Sequence, residues 1–213
     1  MATAVGKKFP DLNVDAMNEM GDTFKVNVLE EAVNNKKKVV LFWYPKDFTF
    51  VCPTELHAFQ AALGEFEKRN TIVIGASCDT PEVHFAWLSQ AKDNGGIEGV
   101  TYPLLADSNR NLSSILGILD ITSETFDEAS QTIQVEGDNV TYRATYIIDE
   151  DGIVQHESIN NMPLGRNVGE YLRLVDALTH VQEKGEVCPA NWEEGKDAMS
   201  PNAKGTAAYL ASH

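Results

Sequence analysis

Residues 39–56 read V-V-L-F-W-Y-P-K-D-F-T-F-V-C-P-T-E-L, and this stretch decides the fold. Its first six residues are aliphatic or aromatic without interruption, which predicts a strand buried on both faces and ended by Pro45. A loop over residues 46–51 follows. Pro53 suits the first turn of a helix, because its missing N–H would have no partner there. The stretch therefore predicts a strand, a short loop and a helix that begins at or beside Cys52.

The alternation of strand and helix continues along the chain. The predicted helix has one apolar face, formed by Leu56, Phe59, Leu63 and Phe66. Residues 71–77, T-I-V-I-G-A-S, predict a second buried strand, and a further helix is expected to start near Pro81. Two strands linked by a helix of this length indicate a βαβ unit and a parallel sheet. We therefore expect an α/β fold.

The second half of the chain predicts a hairpin, a long helix and an arm. Residues 146–148 and 153–154 are apolar and flank the acidic turn D-E-D-G at 149–152. Asn167 is in place to cap a long helix. After about residue 183 prolines appear and the periodic apolar positions end. We therefore expect one domain over residues 1–183 and a C-terminal extended arm over residues 184–213.

The charge of the chain excludes several classes of function. Seventeen Lys and Arg against 32 Asp and Glu give a net charge of −15 over 213 residues. Such a surface repels phosphate backbones and anionic lipid, so we expect neither nucleic-acid nor membrane binding. No apolar run approaches the roughly 20 residues that a bilayer helix needs. Since the N-terminus also shows no secretion signal, the cytoplasm is the expected location.

Cys52 is the residue whose position is most informative. A thiol at the carboxyl edge of a sheet and the N-terminus of a helix meets unpaired N–H groups, which favour its thiolate form. The alternative is a thiol buried in the core, which is common for free cysteine. Thr49 and Glu55, three residues to either side, weaken that alternative because polar groups can converge there. Since position 49 is not cysteine, the loop is not a C-x-x-C dithiol.

The remaining candidate ligands point to no metal or cofactor. The spacings of Cys52 to His57 and of Cys78 to His84 are not those of zinc ligands, and no nucleotide-binding glycine motif occurs. We interpret His84, His156 and His180 as surface or packing residues. Cys78 ends the second predicted strand and is interpreted as a core thiol.

Residues 45–55, P-K-D-F-T-F-V-C-P-T-E, closely resemble the active-site loop of peroxiredoxins. The P-x-x-x-T-x-x-C core of that loop corresponds to Pro45, Thr49 and Cys52. Segments 103–107, 143–149 and 185–189 are also similar to that family. The resemblance is closest to the typical two-cysteine group, which includes the peroxidase subunit of bacterial alkyl hydroperoxide reductase. It implies a thioredoxin-like fold with a central mixed sheet flanked by helices.

The resemblance also implies a role for each residue of the loop. Cys52 would be the thiolate that attacks the peroxide and becomes a sulfenic acid. Thr49 would hydrogen-bond the peroxide, and Pro45 would shield the pocket from water. Arg143 would lie near the sulfur and Glu55 would orient it. From periodicity alone, Arg143 would instead be a solvated charge at a strand edge.

The resemblance further implies how the catalytic cycle closes. Cys188 would be the resolving cysteine, forming a disulfide with Cys52 of another subunit in a homodimer, with five dimers in a ring. The function implied is reduction of hydrogen peroxide and organic hydroperoxides. The disulfide would be recycled by thioredoxin or by a dedicated flavoprotein disulfide reductase. Arg166 resembles a second arginine near the pocket, and its alternative is a surface arginine at the start of a helix.

Two other functions stay open from the sequence. The first is a thioredoxin-like disulfide oxidoreductase, which would need a second thiol beside Cys52. The second is a chaperone or scaffold assembly, in which exposed apolar surfaces would matter more than Cys52.

Overall fold

The computed structural model describes residues 3–213, and this part of the chain folds into nine strands and six α-helices. The strands are β1 Asn13–Met17, β2 Thr23–Asn27, β3 Lys38–Trp43, β4 Thr71–Ser77, β5 Leu104–Ala106, β6 Ser123–Asp127, β7 Thr132–Glu136, β8 Arg143–Ile148 and β9 Val154–Asn160. The helices are α1 Val28–Asn35, α2 Cys52–Lys68, α3 Pro81–Leu88, α4 Asn111–Leu116, α5 Val168–Lys184 and α6 Ala203–Ser212.

Seven of the strands form one mixed sheet in the order β2-β1-β5-β4-β3-β8-β9. β3 pairs in parallel with β4, and β4 pairs in parallel with β5, whereas the other neighbours are antiparallel. Trp43 of β3 lies opposite Ala76 of β4. The predicted βαβ unit is therefore present as β3–α2–β4, and the central mixed sheet flanked by helices is confirmed.

Residues 39–43 of β3 are all apolar because both faces of the strand are covered. On one face, Leu41 and Trp43 belong to a buried cluster that also contains Ala32 of α1 and Leu112 of α4. On the other face, the ring of Phe42 stacks on that of Phe59 in α2, with 4.0 Å between the ring centroids. Strands buried on both sides cannot show polar alternation, which explains the uninterrupted run in the sequence.

The helix starts follow the expected signals. α2 begins at Cys52 with proline in its first turn, and α3 begins at Pro81. The Asn167 side chain caps α5 by accepting a hydrogen bond from the Gly169 amide. The N-cap residues of α2 and α3, Val51 and Thr80, make no side-chain capping bond. The first turn of α2 is therefore held less tightly than a capped turn would be.

The residue contacts divide the chain into one unit that ends at Arg166 and a second that begins at Asn167. In the second unit, α5 is followed by a segment in which Val187 and Met199 form an isolated antiparallel bridge. The segment was expected to be extended, but residues 203–212 are helical as α6. The Asn202 side chain starts α6 by accepting a hydrogen bond from the Gly205 amide.

The turn between β8 and β9 depends on Gly152. Gly152 has a φ of +79°, and a Cβ at this position would lie 2.2 Å from the Cδ1 atom of Leu29. Gly6 has nearly the same φ, +78°, but a Cβ there would meet nothing within 4 Å. An added side chain would strain the backbone at both positions, but it would crowd a neighbouring side chain only at Gly152.

We predict that Gly152→Ala destabilises the fold more than Gly6→Ala. Both variants force a side chain into the left-handed region, which costs about 1–2 kcal/mol. Gly152→Ala also crowds the buried Leu29, which adds about 1–3 kcal/mol. Urea unfolding of both variants measures the difference, and equal losses of unfolding free energy would contradict the prediction.

Candidate active site

The Cys52 side chain is fully buried at the N-terminus of α2. The loop that carries it leaves β3 at the carboxyl edge of the parallel part of the sheet. Sites in α/β folds form at this edge, because the loops that follow neighbouring strands meet there. The structure therefore places the thiol where the sequence predicted it.

Arg143 is a charged group in contact with this sulfur. It is the first residue of β8, which pairs with β3, and only 4% of it is exposed. Its Nη1 atom lies 3.4 Å from the Cys52 Sγ atom and donates to the Glu55 Oε2 atom at 2.7 Å. Its Nε atom donates to the Met162 carbonyl at 2.6 Å. Arg143 is thus a buried, fixed donor and not the solvated edge charge that periodicity alone indicates.

Glu55 joins two arginines in the interior. Its Oε2 atom accepts from Arg143 and, at 3.0 Å, from the Nη1 atom of Arg166. Its Oε1 atom accepts from the Arg166 amide at 3.0 Å. The Glu55 side chain is 3% exposed. One carboxylate therefore balances two guanidinium groups, which leaves one unbalanced positive charge beside the thiol.

Arg166 anchors this cluster to the sheet. Its side chain is fully buried, and its Nη2 atom donates to the carbonyls of Trp43 and Ala144. Its guanidinium carbon lies 5.5 Å from the centre of the Phe42 ring. The structure therefore places Arg166 in the site, and the alternative of a surface arginine is wrong.

Pro45 and Thr49 lie in the loop between β3 and α2. Pro45 is buried and Thr49 is half-buried. The Thr49 hydroxyl donates to the Lys46 carbonyl at 2.9 Å, within the same loop. Its oxygen keeps free electron pairs to accept a hydrogen bond. Its proposed bond to a peroxide remains a prediction.

A buried polar cluster that the sequence did not reveal supports this loop. The Asp47 carboxylate accepts from the Tyr44 hydroxyl at 2.8 Å and contacts His84 Nδ1 at 2.7 Å. The Asp47 amide donates to the Asp79 carboxylate at 2.9 Å. Burial acts to lower the pKa of His84, but the hydrogen bond and charge of Asp47 raise it above its usual value. His84 is therefore the packing residue expected, with a specific partner 37 residues away.

The other two cysteines lie in different surroundings. Burial raises the pKa of the Cys78 thiol to about 11, and its sulfur lies 3.7 Å from the Ser113 hydroxyl. Cys188 belongs to the second unit, where it is half-buried and contacts the Ala177 carbonyl of α5 at 3.7 Å. Burial also raises the pKa of Cys188, against the positive charge of Arg173.

The structure offers no cluster of metal ligands within residues 3–213: no three His, Cys, Asp or Glu side chains lie close enough to share an ion.

Comparison with known families identifies two matching segments. The AhpC/TSA family matches residues 5–157. The C-terminal domain of 1-Cys peroxiredoxin matches residues 177–212, the segment that contains Cys188. Together the two matches cover the β3–α2 loop, Arg143 and residues 184–212 of the arm, whereas Arg166 lies between the two matched segments.

Individual relatives match along nearly the whole chain. Alkyl hydroperoxide reductase C from Helicobacter pylori is 39% identical over 209 residues, which are 97% of this chain and 96% of the relative. Peroxiredoxin-2 from Bos taurus is 39% identical over 209 residues, 98% of this chain and 96% of the relative. The crystal structure of reduced Plasmodium vivax 2-Cys peroxiredoxin has a TM-score of 0.86 at 38% identity, covering 99% of this chain and 100% of that one.

We predict that Glu55→Gln slows the reaction of Cys52 with hydrogen peroxide by about 10²–10³-fold, because the Arg143 donor loses the carboxylate that positions it. The variant also leaves two buried cations without their counter-ion, which costs about 3–5 kcal/mol of unfolding free energy. Stopped-flow kinetics and urea unfolding measure the two effects.

Glu65→Gln is the matched control for Glu55→Gln. Glu65 lies on the outer side of the same helix, where it pairs with Lys68 and Arg69 on the surface. It should keep the wild-type rate and nearly the wild-type stability. A wild-type rate in folded Glu55→Gln protein would contradict the positioning role.

We predict that Cys78 resists alkylation at neutral pH. A thiol becomes reactive when it loses its proton, so a pKa of about 11 keeps Cys78 neutral through the physiological range. Iodoacetamide labelling followed by peptide mapping should show Cys188 modified long before Cys78 at pH 8. Labelling of Cys78 should increase about tenfold for each pH unit towards 11. Equal labelling of the two at pH 8 would contradict the prediction.

Proposed function

Since the chain belongs to the AhpC/TSA family of peroxiredoxins, we propose that Cys52 is the thiol with which it reduces peroxides. The protein is a thiol-dependent peroxidase of thioredoxin-like fold. The observation that carries the assignment to Cys52 is the 3.4 Å contact between its sulfur and the Nη1 atom of Arg143. Among the three cysteines, Cys52 alone lies at a helix N-terminus beside a buried cation.

The first step transfers the terminal oxygen of the peroxide to the Cys52 sulfur. The Cys52 sulfur attacks the terminal oxygen, the O–O bond breaks, and the sulfur is oxidised to a sulfenic acid. The peroxide is reduced to water or an alcohol, and the proton of the thiol ends on the departing oxygen. Arg143, held by Glu55, stabilises the negative charge on sulfur and on that oxygen. Thr49 orients the peroxide through its hydroxyl.

The second step joins Cys52 to Cys188. The Cys188 thiol attacks the sulfenic sulfur of a partner subunit, a disulfide forms and water leaves. Cys52 is fully buried, so the first turn of α2 must open before the sulfurs meet. Because Val51 supplies no capping bond, that opening is easier than for a capped helix.

The same proposal specifies substrates and partners. The substrates are hydrogen peroxide and organic hydroperoxides, which are small and uncharged. A dithiol protein, either thioredoxin or a dedicated flavoprotein reductase, returns the disulfide to two thiols. The enzyme acts as a homodimer, with five dimers in a ring, and residues 184–213 form the arm that carries the resolving cysteine. The name of the Helicobacter pylori relative supports the substrate class.

A thioredoxin-like disulfide reductase is the less favoured alternative. Such an enzyme needs a second thiol next to the first, but position 49 carries a hydroxyl that is hydrogen-bonded within its own loop.

We propose the cytoplasm as the site of action. No helix in the part of the chain that the structure describes is long and apolar enough to cross a bilayer. A reducing compartment keeps the Cys52–Cys188 disulfide reducible. Relatives from plants are named chloroplastic, so fractionation of the source cells is the test.

Single-turnover kinetics with three cysteine variants test the proposed function. Wild-type protein that is fully reduced should consume one peroxide per chain and give a disulfide-linked dimer on a non-reducing gel. Cys52→Ser should do neither. Cys188→Ser should consume peroxide without forming the dimer, because its sulfenic acid has no partner thiol.

Cys78→Ser is the matched control, because Cys78 is buried and neutral and should contribute nothing to either readout. Slow peroxide consumption that persists in Cys52→Ser would overturn the proposal. If Cys52→Ser then still suppressed aggregation of a client protein, a chaperone or scaffold function would take its place.

A further inference from the structure

Strands β6 and β7 form a two-stranded sheet of their own, apart from the main sheet. We call residues 122–138 the β6–β7 hairpin. Its base is fixed: the Thr122 amide donates to the Glu136 carbonyl at 2.8 Å, and Arg110 Nε donates to the Asn139 carbonyl at 2.9 Å. A Cβ at Gly137 would lie 2.3 Å from the Asp120 carbonyl oxygen, so the segments before β6 and after β7 are in close contact. The hairpin therefore projects from a rigid base.

The register gives the hairpin two different faces. Phe126 lies opposite Ile133, and Glu124 lies opposite Val135. Because side chains alternate along a strand, these four share one face. The opposite face carries only polar side chains, namely Ser123, Thr125, Asp127, Thr132, Gln134 and Glu136.

The apolar face is open to solvent. Phe126 is 58% exposed, Ile133 67% and Val135 42%. Two-stranded hairpins are marginally stable in water unless a third strand or another element covers their apolar face. A contiguous apolar patch with polar residues around it is typical of a surface that binds another protein.

The charge around this face decides what kind of partner fits it. Residues 111–142 contain six acidic residues and no Lys, Arg or His. The acidic residues are Asp120, Glu124, Asp127, Glu128, Glu136 and Asp138. Within residues 3–213, none of these carboxylates forms an ion pair. Their negative field is therefore available to a cationic partner.

A second copy of this chain fits the face poorly. Over residues 111–142 a second copy would bring six further carboxylates to this face and no cation to pair with them. Two hairpins packed face to face would also bring their Glu124 carboxylates together beside the apolar side chains. Like charges brought together across an interface are destabilising.

The outer edges of the hairpin offer a second means of binding a partner, through backbone hydrogen bonds. Among the described residues, β6 and β7 each have a single ladder partner, which is the other strand. The outer edge of each strand thus presents backbone N–H and C=O groups to a further strand. Extended peptides bind proteins by adding themselves to such an edge.

We propose that the β6–β7 hairpin is a docking site for an extended, cationic segment of another protein. The segment adds to an outer edge of the hairpin. Its alternate apolar side chains lie on the same face as Phe126, Ile133 and Val135 and extend that apolar surface, and its Lys or Arg side chains meet the surrounding carboxylates. This function is separate from the peroxidase reaction and does not depend on Cys52.

Fluorescence anisotropy with the full-length reduced protein tests the proposal. The probe is a labelled seven-residue peptide of alternating lysine and valine. We expect saturable binding that weakens at least tenfold in Phe126→Ser/Ile133→Ser and also in Glu124→Gln/Glu128→Gln. Binding should weaken further as salt is raised from 50 to 500 mM, because the charges are exposed. Hydrogen exchange should show added protection of amides in β6 or β7 when the peptide binds.

Met20→Ser is the matched control, since Met20 is also an exposed apolar side chain in a hairpin turn and is 72% exposed. It should bind the peptide like wild type, and a peptide of alternating glutamate and valine should not bind. Equal affinity of wild type and Phe126→Ser/Ile133→Ser would overturn the proposal.

Two further measurements separate this proposal from others. Sedimentation should give wild type and Phe126→Ser/Ile133→Ser the same mass. A smaller mass for the variant would mean that a second copy covers the face, which would overturn the proposal. The peroxidase rate of the variant should equal that of wild type, so a failure of the docking site is distinguished from a failure of the proposed function.

Discussion

The Glu55 carboxylate, shared by two buried guanidinium groups, is the interaction on which the site and much of the fold depend. Arg143 and Arg166 are both held within 3.0 Å of it, and all three side chains are less than 5% exposed. A buried charge without a partner is among the most destabilising features a protein can carry, so these groups must be brought together as the chain folds. The cluster therefore links four segments: β3 through the Trp43 carbonyl, the first turn of α2, the start of β8, and the loop after β9 that carries Arg166.

The same arrangement explains why the thiol lies where it does. Cys52 and Glu55 are one helical turn apart at the start of α2, so the carboxylate that fixes Arg143 is set by the same turn that presents the sulfur. Both guanidinium groups also donate to backbone carbonyls, which fix their orientation. A cation on a flexible surface chain would be hydrated and mobile. Held in the interior, the Arg143 guanidinium lies 3.4 Å from the sulfur in an orientation that is already fixed.

The sequence predicted those features that local patterns determine. Residues 39–44 and 71–77 were expected as strands and correspond to β3 and β4 within one residue, because an uninterrupted apolar run reports burial on both faces. β5 has only three residues, too few for a pattern to stand out, and the β6–β7 hairpin has no buried face to produce one. The pairing of Arg143 with Glu55 spans 88 residues, so periodicity around Arg143 could not indicate it. Only the resemblance of the loop at residues 45–55 placed that arginine near the sulfur.

The chain as a whole is negatively charged and the buried site is positively charged, and this difference is suited to an uncharged substrate. The chain carries −15 in total, while the buried site holds two cations for one carboxylate. An anionic substrate would be repelled by the surface before it reached the arginines. Peroxides of the kind proposed are uncharged at neutral pH, so the surface does not hinder their approach. In the proposed reaction, negative charge develops on the departing oxygen when the O–O bond breaks, and Arg143 would lie beside that oxygen. On this proposal the positive charge stabilises the departing oxygen more than the bound, uncharged peroxide, which is the condition under which a fixed charge raises the rate.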